Sequence, residues 1–240
     1  HALRANSKRG SRRNIHAHYD LGNEFFAQFL DPTLTYSAGI FESDEATLEQ
    51  ASIAKYERIC RKLALAPGDH VLEIGTGWGG FALHAARTRG CRVTTTTLSR
   101  AQHEFASQRI GDAGLADRVT VLLEDYRDLR GRYDKLVSIE MIEAVGHRYL
   151  PHYFRACGAL RLRHGFIAGA GVDHLAQVRS KSDLIDGVVF QVETIQAAGG
   201  LAIVLPLVWL PQNRASEQDY VDVYGAIFRQ CRGPLFVHWL

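Results

Sequence analysis

The chain lacks most of the signals that would set it apart from an ordinary globular enzyme. Its 240 residues hold only four cysteines, Cys60, Cys91, Cys157 and Cys231. They are far apart and form no CxxC pair, which argues against zinc and a disulfide framework and fits a reducing cytosol. No secretory leader and no apolar stretch of membrane-spanning length is present. The longest apolar run, residues 201–210, is too short and is interrupted by Pro206. Acidic residues are missing from the first thirteen positions, which carry Arg4, Lys8, Arg9, Arg12 and Arg13. Such a run suits an anionic membrane surface or a phosphate-bearing substrate, and equally a solvated terminus. The net charge of +2 is too small to imply nucleic acid. Methionine is absent from position 1, so the chain, which opens on His1, reads as a fragment or a processed product. His16 and His18 have no evident third partner, and no metal site is expected. The expected location is cytoplasmic, peripheral at the inner membrane surface.

What is present suits one domain with some elaboration: 46% of residues are hydrophobic and 22% charged. From about Gly68 strand-like and helix-like segments alternate, the pattern of an α/β sheet with crossover helices. Strands are expected over residues 69–74, 91–97, 119–123 and 133–139, with a fifth from Gly165. Helices are expected to about Arg87, from an N-cap at Ser99 to about Ile110, and over 149–162. Before Gly68 two helices are expected, over 23–29 and 48–65. Phe25, Phe26 and Phe29 would share one apolar face of the first. These helices would cap the sheet at the carboxyl ends of its strands, where ligands bind. Three parts follow: a basic segment and helical cap (1–66), a Rossmann-like core (67–172) and an atypical C-terminal region (173–240).

The sharpest motif is HVLEIGTGWGG, residues 70–80. A hydrophobic strand runs into Gly75, Gly77, Gly79 and Gly80 and then into a helix. Glycines there allow a tight turn and close approach to a ligand, beside the unpaired N–H groups of a helix start. A dinucleotide site calls for an acidic residue about 20 positions on, to hold the ribose. This chain has Thr94, Thr95, Thr96 and Thr97 there instead. Glu73, two residues before the first glycine, completes E-x-G-x-G-x-G, a pattern that resembles the first motif of S-adenosylmethionine-dependent methyltransferases. LLEDYRDL, residues 122–129, follows the third strand. Asp125 could accept from an adenine amino group, and Tyr126 could stack on the ring.

Longer motifs narrow the reading. NIHAHYDLGNEFFAQFLDPTLTYSAGIF (14–41), TLSRAQ (97–102), DYRDL (125–129) and SIEMIEAVGHRYLPHYF (138–154) occur in order. Together they resemble the cyclopropane-fatty-acyl-phospholipid synthase family, which includes the mycolic acid cyclopropane synthases, over roughly residues 10–165. The resemblance implies a class I methyltransferase sheet with an N-terminal helical cap. It also implies S-adenosyl-L-methionine as cofactor and an unsaturated phospholipid acyl chain as substrate. Tyr36, Ser37, Gly75 and Gly77 would contact the cofactor, with Thr97, Leu98 and Gln102 at its ribose and methionine portions and Tyr126 and Arg127 near the adenine. Tyr19 and Glu143 would line the reaction centre. Glu140, one turn earlier, competes with Glu143 as the buried carboxylate. Members methylate a cis double bond, and most then close a cyclopropane ring.

The sequence also departs from that family. A cysteine that helps hold a bicarbonate base is replaced by Ala38, and histidines commonly found near the same anion fall at Ala144 and Ala170. A bicarbonate site of the usual construction is therefore doubtful. Residues 166–240 show no recognised continuation of the family. If they did not fold, the 201–210 run would be an exposed aggregation hazard.

Overall fold

The structure is a computed structural model that describes residues 7, 10, 11, 14, 15, 22–160, 167–170, 178–204, 207, 209–231 and 235–237. Of residues 143, 147, 167–170, 203 and 235–237 the backbone alone is described. The chain divides into two compact units, His1–Ala144 and Val145–Leu240.

In the first unit a short helix α1 (Asn23–Ala27) and a longer α2 (Leu48–Lys62) precede the sheet. Strand β1 (His70–Ile74) leads to α3 (Gly80–Arg89), β2 (Arg92–Thr96) to α4 (Arg100–Asp112), and β3 (Val119–Leu122) and β4 (Lys135–Val137) follow. The strands are all parallel in the order β3-β2-β1-β4. Leu72 on the central strand lies opposite Thr94 on one side and Leu136 on the other. A strand covered on both faces needs a nearly continuous apolar run, and VLEI supplies it, with Glu73 the exception.

The core on one face joins Val71, Val93 and Val119 to Phe81, Ala82, Ala85, Ala106 and Ile110. The alanines let α3 lie close to the sheet, and burying Phe81 is worth about 2–3 kcal/mol. Helix starts follow local chemistry. Ser99 Oγ accepts from Gln102 N, the expected cap of α4, and Thr47 and Gln50 form a capping box on α2.

The expected aromatic face forms although the helix ends at Ala27: Phe29, in the turn that follows, packs against Phe25 and Phe26 with ring centroids 5.4 and 5.8 Å apart, and Phe25 and Phe26 lie 5.6 Å apart. Phe26 is buried, while Phe25 and Phe29 are 43% and 50% exposed.

The second unit contains α5 (Leu150–Ala159), β5 (Ile167–Ala170), α6 (Lys181–Ala197), β6 (Leu201–Val204), α7 (Trp209–Gln212), α8 (Glu217–Gln230) and β7 (Leu235–Val237). Its parallel sheet has the order β5-β6-β7. Of the apolar 201–210 run, residues 201–204 form β6, and both Leu207 and Leu210 are buried. Ser180 and Ser216 each close a capping box, with Asp183 and Asp219. No described helix is long and apolar enough to cross a membrane.

Candidate active site

Every strand of the first sheet ends at the same edge, and the motifs gather there. At the end of β1 the chain turns through Gly75, Gly77 and Gly79 with φ of 104°, 53° and 84°. These are left-handed angles that a side chain resists. The Gly75 and Thr76 amides both donate to Thr96 O at 3.0 Å, tying the loop to the end of β2. Thr95 Oγ1 donates to Thr76 Oγ1 at 2.8 Å. The threonine run thus does structural work, stitching the loop to the neighbouring strand. Gly79 caps α3 without a side chain, so the N–H groups of that helix start face the loop without a capping oxygen.

Two buried polar atoms at this edge have no partner. Glu73 is 2% exposed, and its Oε2 makes no hydrogen bond. Burial pushes its carboxyl up to about 8, with the Thr95 hydroxyl opposing. Gln102, at the start of α4, is 4% exposed, and its Nε2 is likewise unsatisfied. The remaining amide oxygen is held by Thr97 Oγ1 at 2.8 Å, so the NH₂ group has a fixed direction. A buried acceptor and a buried donor left open cost free energy unless a ligand completes them. The carboxyl suits a cationic amine, and the carboxamide NH₂ suits a hydroxyl or carboxylate. A polar, amine-bearing nucleoside such as S-adenosylmethionine fits that donor set.

On the far side of the loop stands the cap. Trp78, 1% exposed, donates from Nε1 to Asn23 Oδ1 at 2.9 Å and meets Phe26 with ring centroids 4.9 Å apart. Tyr36 joins the same aromatic group, 5.4 Å from Phe26, with about half its surface exposed. Ser37 Oγ accepts from Lys55 Nζ. Lys55 is buried on α2, which lowers its pKa, while Glu140 acts in the opposite direction.

At the end of β3 Asp125 is 3% exposed, and Arg127 grips both its oxygens, Nε to Oδ1 at 2.7 Å and Nη2 to Oδ2 at 2.6 Å. Arg127 also lies over the Tyr126 ring, 5.2 Å from its centroid. This arrangement holds Tyr126 and Arg127 in place. The carboxylate that sequence reasoning assigned to an adenine amine is already engaged in a bidentate pair, and only its remaining lone pairs are open.

The structure therefore gathers Glu73, Gly75, Gly77, Thr97, Leu98, Gln102, Asp125, Tyr126 and Arg127 around strand ends β1 to β3, with Tyr36 and Ser37 on the cap side. Tyr19 lies outside the described residues. Glu143 falls in a 3₁₀ turn, Ile142–Ala144, with its side chain outside the description. Glu140 is not the buried carboxylate of the pair's alternative reading, since its side chain is 43% exposed. Trp78, Asn23 and Lys55 were missed. For Lys55 a signal existed: it sits one turn after Ala51 on the buried stripe of α2.

A parallel sheet ordered β3-β2-β1-β4, with a glycine loop after β1 and binding groups at the next two strand ends, defines a Rossmann-like methyltransferase fold. Residues 6–199 match the family described as mycolic acid cyclopropane synthetase, and the chain belongs to it. Tuberculostearic acid methyltransferase UfaA1 of Mycobacterium tuberculosis is 46% identical over 157 residues, 62% of this chain and 36% of that protein. A probable fatty acid methyltransferase of the same species, Rv3720, is 35% identical over 240 residues, 97% of this chain and 55% of that one. That match takes in the C-terminal region for which the sequence reading found no counterpart. The crystal structure of mycolic acid cyclopropane synthase CmaA1 complexed with SAH and CTAB is 36% identical, with a TM-score of 0.61, and covers 63% of this chain and 53% of that one. The chain thus spans about a third to about half the length of these curated relatives.

Proposed function

We propose that the chain catalyses S-adenosylmethionine-dependent transfer of one carbon to the double bond of an unsaturated phospholipid acyl chain. The observation that carries this reading is the pair of unpartnered buried atoms, Glu73 Oε2 and Gln102 Nε2, beside the glycine loop. Glu73 would meet the cofactor's amino group, and Thr97, Leu98 and Gln102 its ribose and methionine portions. Tyr126 and Arg127 would flank the adenine, and Tyr36 and Ser37 would close over the methionine end. When bound, S-adenosylmethionine supplies an electrophilic methyl group on a sulfonium.

The protein's part is orientation and charge. An isolated alkene is a weak nucleophile, so it must be aligned with the methyl group in a pocket closed to water. Its π pair would form the new C–C bond as the methyl–sulfur bond breaks, the sulfur keeping that bond's electron pair and leaving as a neutral thioether, and a cation would remain on the acyl chain. Tyr19 would face that cation with its ring, and Glu143 would balance it and direct the departing proton. Loss of a proton from the new methyl group closes a cyclopropane. Loss from the neighbouring carbon leaves a branched alkene. The branched outcome has its own support in the 46% identity to a tuberculostearic acid methyltransferase.

The experiment incubates the purified chain with methyl-labelled S-adenosylmethionine and vesicles of unsaturated phospholipid. The acyl chains are then analysed by mass spectrometry. A labelled gain of one CH₂ is expected, and fragmentation separates ring from branch. Label absent from lipid, in a chain that binds the cofactor, would leave a non-catalytic binding protein.

A further inference from the structure

Glu140 has a backbone that needs explaining. Its φ of 45° lies in the left-handed region, which a β-carbon disfavours, and such strain persists only where the surroundings enforce it. The side chain shows what the conformation achieves. Both carboxylate oxygens lie 3.1 Å from the Ala38 amide, and Oε1 lies 3.7 Å from Lys55 Nζ.

Ala38 belongs to a lip, residues 36–40, whose outer flank is fastened to α2. Lys55 Nζ donates to Ser37 Oγ, and Ile40 N donates to Ala51 O at 3.0 Å. Gly39 runs so close to α2 that a β-carbon would stand 2.7 Å from Ala51 Cβ. The inner flank faces the segment after β4. There Met141, next to Glu140, packs over the glycine loop: its Cβ and Cγ are 3.3 Å from the place a Gly75 β-carbon would take. Glu140 is thus the joint at which α2, the lip and the roof of the glycine loop meet. A glycine would adopt this φ without strain, yet only a side chain with a long-reaching acceptor can span from the end of β4 to Ala38.

We infer that Glu140 is a positioning residue: its carboxylate latches the 36–38 lip against the glycine loop, so that Tyr36 and Ser37 are pre-set for the cofactor. The inference rests on the cofactor site proposed above. Glu140 acts through Ala38 and Lys55, and a preformed lip spares the ligand the ordering cost of closing it.

The test compares wild type with Glu140→Gly, Glu140→Gln and Lys55→Met. Three quantities are read: hydrogen exchange at the Ala38 amide, affinity for S-adenosylhomocysteine by calorimetry, and Tm. Glu140→Gly removes the latch together with the strain, so its Tm stays level or rises. Its Ala38 amide exchanges about tenfold faster and its affinity falls about tenfold, the loss of one charge-assisted hydrogen bond. Glu140→Gln keeps an acceptor and most of the exchange protection, and Lys55→Met shows a smaller loss of both. Exchange and affinity in Glu140→Gly equal to wild type would overturn the latch, as would losses that only follow a falling Tm. Failure of wild type to bind S-adenosylhomocysteine would overturn the cofactor site instead, and Ala38 exchange would still decide the latch.

Discussion

The two units differ most in where they bury polar side chains. In the first, Asp31, Lys55, Glu73, Gln102, Asp125 and the threonines 94–97 are all buried. In the second, Gln191 is the buried polar side chain among the described residues, and the interior is otherwise apolar, with Leu184, Val188, Val192, Ile195 and Ile227 at 0% exposure. Among the described residues, the two buried side-chain atoms that lack partners, Glu73 Oε2 and Gln102 Nε2, both belong to the first unit. Burying polar groups costs free energy, so a fold concentrates them where chemistry or specificity needs them. The first unit holds buried polar groups in fixed positions at its strand ends, and the second gains its stability from apolar packing and well-capped helices.

Substitutions can break this contrast, the largest effect first. Glu143→Gln should reduce turnover by roughly a hundredfold or more with little change in cofactor affinity. Unchanged turnover would remove Glu143 from the reaction. Next, Phe81→Ala and Leu184→Ala each open a cavity in one unit and should cost about 3–5 and 2–5 kcal/mol in denaturant unfolding. If the contrast holds, Leu184→Ala leaves the affinity of the folded protein for S-adenosylhomocysteine unaltered.

Glu73 gives a pH test. Its carboxyl ionises near 4.5 when solvated but near 8 when buried. Folding therefore favours the neutral form, and the stability present below 4.5 is lost as pH rises toward 8. Glu73→Gln should match wild type near pH 4 and exceed it by roughly 2–4 kcal/mol near pH 8. Parallel stability curves would show that the carboxyl is not desolvated as described. The smallest effect belongs to the caps: Ser180→Ala should cost about 1 kcal/mol, read as a shift in unfolding midpoint.

How far the sequence reveals the molecule also differs between the units. The strand–glycine–helix succession around Gly75 was legible because local sterics alone demand glycine at left-handed angles. Ser99 was legible as a cap for the same local reason. The latch was not, since Lys55, Ala38 and Glu140 meet across long sequence separations and nothing local marks Glu140 as left-handed. The engagement of Asp125 by Arg127 was also hidden: DYRDL shows the two charges but not that both oxygens are taken. In the α1 region the pattern of Phe25, Phe26 and Phe29 suggested one apolar face, and the three rings do pack together; what the pattern did not show is that of the three Phe26 alone is buried. Beyond the end of the 138–154 motif the C-terminal unit carries no chemical motif, and there only apolar spacing and two Ser-x-x-Asp boxes announce its helices.

The central claim is that the open groups of Glu73 and Gln102 are completed by the cofactor. Calorimetric titration of S-adenosylhomocysteine into wild type and Gln102→Leu tests it most directly. Saturable binding at one site is expected, weakened about tenfold or more in the variant. Equal affinities, or a folded wild type that takes up no ligand, would contradict it.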